Sequence, residues 1–188
     1  MAKYWKTPGG IAYNLYLDML EQTDLLVMGF ANHGRVNVAE GLIHTALFKS
    51  PERVQFVLLN MSHNLMGAYK DLPHVIAYEE TEEGAVSALK EVLELVERRQ
   101  KKASVKRGPE SDRECHDSHI YVFVEEYRGL FVSRKKEAWH YMRLIAGNSS
   151  SANTHLFAFG APNDRISDVE KWFSSSMMLK LNIAYNGI

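Results

Sequence analysis

Between Asp24 and Val36 the sequence reads Asp-Leu-Leu-Val-Met-Gly-Phe-Ala-Asn-His-Gly-Arg-Val, and this stretch constrains the fold more than any other. The apolar run Leu25 to Met28 stops at Gly29, Gly34 follows after four residues, and Val38, Ala39, Leu42, Ile43, Ala46 and Leu47 then recur at helical spacing. A strand, a glycine loop and a helix in that order have the layout of the phosphate-cradling loop G-x-x-x-x-G-K-[ST]. There, backbone N–H groups and a helix N-terminus face an anion. Two letters differ: Arg35 stands where the chemistry uses Lys, and Val36 stands where it uses a hydroxyl for Mg²⁺. The candidate nucleotide-binding residues are Gly29, Asn32, His33, Gly34, Arg35 and Val36. A plain strand-to-helix turn with no ligand is the competing reading.

The rest of the chain repeats the strand and helix alternation. Val54 to Leu59 is almost entirely apolar, as expected for a strand covered on both faces. Val75 to Tyr78 reads as a short strand. Thr81 is a helix N-cap followed by Glu82 and Glu83 where the helix dipole favours negative charge, and Ala85, Val86, Leu89, Val92, Leu93 and Val96 share one face behind it. Ile120 to Val124 is a buried strand closing on Glu125 and Glu126, at the strand end where ligands bind in open α/β sheets. A helix around Trp139, Met142, Ile145 and Ala146, a loop from Asn148 to Thr154, and a strand at His155 to Phe159 follow. A short helix at Asp168 to Phe173 and a last strand at Met178 to Ala184 complete the pattern. Such alternation without hairpin signals predicts an α/β fold with a mostly parallel sheet flanked by helices. We expect one domain over 1–188, with a lead-in segment at 1–23 and a mobile basic and polar loop at about 98–118.

Composition excludes several classes. No apolar run approaches the ~20 residues of a membrane span, and Lys3, Trp5, Lys6 and Pro8 do not form a secretory leader, so the expected location is cytoplasmic. A single cysteine, Cys115, excludes an internal disulfide and any multi-cysteine zinc site. The window Cys115 to His119 fits no structural zinc spacing, so no metal is expected there. A net charge of -1 gives no global attraction to nucleic acid. A local patch at Lys101, Lys102, Lys106 and Arg107 is the candidate for such contact, against the plainer reading of a solvated helix end.

Taken together, the glycine loop, Tyr69-Lys70-Asp71-Leu72-Pro73-His74, the helix from Glu82 to Arg99 and the segment Ile120 to Phe131 resemble the FtsK/SpoIIIE family of DNA-translocating ATPases. The resemblance covers nearly the whole chain in order and spacing. It implies a RecA-like P-loop NTPase fold, hexameric rings around DNA, and ATP hydrolysis with Mg²⁺. It also implies that Glu126 holds the place of the water-activating carboxylate and Glu125 that of the aspartate orienting the Mg²⁺ shell, one methylene too long. Gly160 falls where the family has a glutamine sensing the γ-phosphate, and Ser149 to Asn153 falls where relatives carry arginines reaching a neighbouring subunit. Relatives continue beyond the last strand, so the ending Asn186-Gly187-Ile188 implies a domain without the segment that completes the motor.

Because phosphoryl transfer is positioning plus charge stabilisation, its parts act as a set. Losing several at once predicts a degenerate, non-hydrolytic pseudo-ATPase that binds or scaffolds, with ATP or ADP held weakly and little use for Mg²⁺. Its partner would be an active FtsK-like motor, or copies of itself in a ring or other homo-oligomer, with DNA as a further candidate. The alternatives are a slow ATPase in DNA segregation or conjugation with Glu126 and Glu125 catalytic, and a nucleic-acid-binding module using the basic loop.

Overall fold

The computed structural model describes residues 4–6, 12–14, 24–29, 35–61, 66–105, 118–127, 134–161 and 177–180. Strands β1 (Tyr4–Lys6) and β2 (Ala12–Asn14) form a separate antiparallel pair within the lead-in segment. The remaining strands are β3 (Asp24–Met28), β4 (Val54–Asn60), β5 (Val75–Glu79), β6 (His119–Glu125), β7 (Thr154–Gly160) and β8 (Met177–Lys180). They make one six-stranded sheet in the order β5-β4-β6-β7-β3-β8, every pairing parallel. The helices are α1 (Val36–Ala46), α2 (Glu82–Val105) and α3 (Lys135–Asn148), and a 3-10 turn, Ser149–Ala152, leads from α3 into β7.

The central strands are apolar on both faces because both are covered. Leu26, Met28, Val57, Leu59, Val122, Val124, Leu156 and Ala158 face α2 and α3, whose own stripes include Ala85, Leu89, Val96, Met142 and Ile145. The alternate residues, Leu25, Val27, Phe56, Leu58, Tyr121, Phe123, Phe157 and Phe159, face α1 through Ala39, Leu42, Ile43 and Ala46. Period-two alternation along each strand thus builds an aliphatic core on one side and a largely aromatic one on the other. Thr81 accepts a hydrogen bond from Gly84 N at 3.1 Å, the expected cap at the start of α2.

α2 continues through Val105, so Arg98 to Ser104 belong to a helix and not to the expected loop. Its last turns are held down. Arg99, 9% exposed, donates to Ser118 O and Ala152 O, each at 2.8 Å. Gln100 Nε2 donates to Asn148 Oδ1 and Ser151 Oγ, also at 2.8 Å. Polar side chains therefore extend the packed face beyond Val96. The segment Asn148 to Thr154, read as a loop, contains the 3-10 turn. The expected helix at Asp168 to Phe173, the end of the last strand beyond Lys180, and the remainder of the basic stretch, with Lys106 and Arg107, lie outside the described residues.

At the start of the central strands Asp24, 1% exposed, accepts from Ser149 Oγ at 2.8 Å and from Leu156 N at 2.9 Å, tying β3 to β7 and to the 3-10 turn. Close by, His119 Nδ1 and His155 Nε2 lie 2.9 Å apart, so one proton is shared between them. Burial lowers the His119 pKa below the usual imidazole value, and the charges of Arg99 and Arg53 lower it further. The unfolded chain therefore takes up this proton first as the pH falls. The stability contribution is complete above the unfolded value of about 6.5 and declines below it. Chemical denaturation at pH 7.5 and 5.5 should show a lower midpoint at pH 5.5, with a smaller difference in His119→Gln. An unchanged difference in that variant would assign the slope to other groups.

Candidate functional site

The carboxyl ends of β3, β7, β6 and β4 meet the start of α1. Gly29 N, just past β3, donates to Gly160 O at the end of β7 at 3.0 Å, which ties the end of β3 to the neighbouring strand. Arg35 immediately precedes α1 with helical φ and ψ of -55° and -44°, and it is 3% exposed. Val36 packs as a half-buried apolar residue against the aromatic core. The loop residues Asn32, His33 and Gly34 lie outside the described residues.

From β6, Glu125 is 2% exposed and Glu126 adopts a left-handed φ of 48°. That conformation interrupts the alternation. Glu125 follows Phe123 onto the α1 side, so a continuing strand would send Glu126 to the other side. Instead, Glu126 Oε2 lies 3.0 Å from Arg35 Nη1. Tyr127, which simple alternation would aim at α1, is buried in the α2 and α3 core. Of the two strand-end carboxylates, one is therefore buried and the other is paired.

Gly160 has no room for a side chain. A Cβ there would overlap Tyr127 Cε1 and stand 2.8 Å from Cδ1, so the ring fills the position from which a sensing side chain would start. The ring is held from its own backbone, since Tyr127 N donates to Phe159 O at 3.2 Å.

Asn60, Tyr78 and Glu80 complete this end of the sheet and were not among the sequence candidates. Asn60 is fully buried and pairs in register with Glu125. Its Nδ2 donates to Tyr78 Oη at 2.7 Å, and Tyr78 donates in turn to Glu80 Oε1 at 2.5 Å. Burial raises the Tyr78 pKa, reinforced by its hydrogen bond to Glu80 and by the charges of Glu80 and Glu125, so the phenol remains a donor. The available signal was a polar residue closing the apolar run Phe56 to Leu59.

The basic candidates stand elsewhere. Lys101 and Lys102 are exposed on the last turns of α2. Arg99, on the same turns, bonds to Ser118 and Ala152 at the amino ends of β6 and β7, opposite the carboxylates. The structure brings Gly29, Arg35, Val36, Glu125 and Glu126 together and leaves Lys101 and Lys102 apart from them. Among the described residues no group of three or more His, Cys, Asp or Glu side chains is placed to hold a metal ion, and no helix is long and apolar enough to cross a membrane.

A parallel sheet with helices on both faces, with Arg35 at the start of α1 set against the strand-end carboxylate of Glu126, is the architecture of a P-loop ATPase domain. The sequence profile of the FtsK/SpoIIIE family matches residues 7–131, and the chain belongs to that family. Solved structures agree on the fold. The cytoplasmic domain of the Thermomonospora curvata type VII secretion ATPase EccC superposes with a TM-score of 0.70 at 16% identity, over 90% of this chain and 20% of that one. EssC (ATPases 2 and 3) from Geobacillus thermodenitrificans gives 0.71 at 14% identity, over 86% and 32%. The pCW3 conjugation coupling protein TcpA, in its monomer form with ATPγS, gives 0.66 at 10% identity, over 93% and 52%. The chain thus spans from a fifth to about half of these proteins. Among curated proteins compared by sequence, none matches.

Mg²⁺ would require oxygen ligands beside the loop. Val36, where the family's loop has a hydroxyl, offers no side-chain oxygen and is in apolar contact with the core, so that one ligand of the family's metal shell is missing.

Proposed function

We propose that this is a non-hydrolytic FtsK/SpoIIIE-like domain that works by binding, as a scaffold or regulatory subunit docked on an active relative or on copies of itself. The observation that carries this reading is the Arg35–Glu126 contact at 3.0 Å. The residue in the loop lysine's place and the carboxylate in the water-activating place engage each other. Val36 contributes no metal ligand, and Tyr127 fills the space beside Gly160. Each loss falls on a different part of a mechanism whose parts act together, and in such mechanisms the arginine finger alone is worth on the order of 10³ to 10⁵ in rate. The fold and the placement of Arg35 beside the strand-end carboxylates are retained, which supports inherited binding without inherited turnover.

The test is a phosphate-release assay on the purified protein with ATP and Mg²⁺, alongside titration with ATP and ADP. Release at the rate of the buffer control is expected. Turnover that disappears in Glu126→Gln would instead support the slow ATPase. Mixing with an active relative should change that relative's ATPase rate, and neither association nor any change would count against the scaffolding role.

A further inference from the structure

Arg35 carries a buried charge that one neighbour only partly satisfies. Its guanidinium has five N–H donors and is always ionised. The residue is 3% exposed, and neither Nε nor Nη1 has a hydrogen-bond acceptor of good geometry among the described residues, although Nη1 lies against Glu126. It stands at the N-terminus of the 11-residue α1, which has no side-chain cap and no acidic residue in its first turn. The first backbone N–H groups of a helix have no intrahelical partners. Donors and positive potential therefore gather at Arg35, and the anion against its Nη1 is the Glu126 carboxylate.

Glu126 and Arg35 differ in their freedom to leave. The Glu126 side chain is 29% exposed and can turn outward into water with its charge still solvated, while Arg35, at 4%, cannot. Glu126 reaches the guanidinium only through its left-handed backbone.

We propose that Glu126 is an internal stand-in for a phosphate group, and that the ligand displacing it from Arg35 is a diphosphate carried without a divalent metal, such as free ADP. This rests on the reading of the domain as binding without turnover, and it deepens that reading by naming the ligand form. Arg35 is itself the counter-cation in a loop whose next residue, Val36, cannot hold a metal. An incoming diphosphate competes with Glu126 for the Arg35 guanidinium and is repelled by it while it remains in place. Removing the Glu126 charge therefore strengthens binding, the reverse of what loss of a ligand-contacting or purely structural residue does.

The experiment is calorimetric titration of the full chain with ADP in EDTA, comparing the wild type with Glu126→Gln, Glu126→Ala and Arg35→Gln, each first checked for a cooperative unfolding transition. Both Glu126 variants should bind about tenfold tighter or more, the scale of one close charge pair. Arg35→Gln should lose binding, inorganic pyrophosphate should compete with ADP, and replacing EDTA by excess Mg²⁺ should not strengthen the wild-type interaction. Equal or weaker binding in both Glu126 variants overturns the proposal, as does binding that requires Mg²⁺. Absence of binding in every folded variant also overturns it and leaves the non-hydrolytic reading standing. Phosphate release by the wild type fails that reading instead, and the affinity order in EDTA still decides the competition separately.

Discussion

Replacing Arg99 with alanine is expected to lower the unfolding free energy by about 3–5 kcal/mol, a large part of what a domain of this size has. The 24-residue α2 delivers this guanidinium to the amino ends of two central strands. Nη1 reaches Ser118 O and Ala152 O at 2.8 Å, and Nη2 reaches Ser118 Oγ at 3.3 Å. Without it, carbonyls in a largely buried position lose their donor, at about 1–3 kcal/mol for each that water cannot reach. The end of the helix also loses its anchor. Arg99→Lys should recover only part of this, because an ammonium cannot span carbonyls that a planar fork bridges. Denaturant titration with an unchanged m-value would measure the effect. A loss below about 1 kcal/mol would mean that water replaces the guanidinium. The variant also carries an independent signature: Arg99 helps to lower the His119 pKa, so the acid-side decline in stability should become shallower.

The second large effect concerns Gly160 and Tyr127. Gly160→Gln should destabilise by about 3 kcal/mol, since its Cβ would start inside the space of a buried ring whose backbone is tied to β7. Tyr127→Ala alone should cost about 3–5 kcal/mol, as expected for emptying an aromatic site in a close-packed core. In the Tyr127→Ala background Gly160→Gln should cost little, because the cavity accepts the new side chain. The double-mutant coupling should then be about 2 kcal/mol or more in the stabilising sense. Simple additivity would mean that the ring moves aside freely. Its occupation of this space would then carry no argument about the site.

The position of the carboxylates at a strand end was legible in the sequence, and so was the apolar stripe of α2, because both depend on residues near one another in the chain. The extent of α2 was not. The charged run from Arg98 looks like a solvated end, yet Arg99 and Gln100 face partners contributed by residues far away, Ser118, Asn148, Ala152 and Ser151. A helical stripe is recognised by its apolar members, and here polar members continue it.

Local sequence was enough to set the class of fold and the layout of the strand ends. Strands apolar on both faces require helices on both sides, and a strand, glycine loop and helix place Arg35 and Val36 at a helix start whatever surrounds them. What those residues do depended on the tertiary arrangement. The strand order sets β7 between β3 and β6, so Gly160 comes beside both Gly29 and Tyr127. The left-handed turn at Glu126 reverses the alternation that the sequence implies and delivers its carboxylate to Arg35. Periodicity is a property of the local chain. The partner of a buried charge is fixed by which strands become neighbours and by a single backbone angle at the end of one of them.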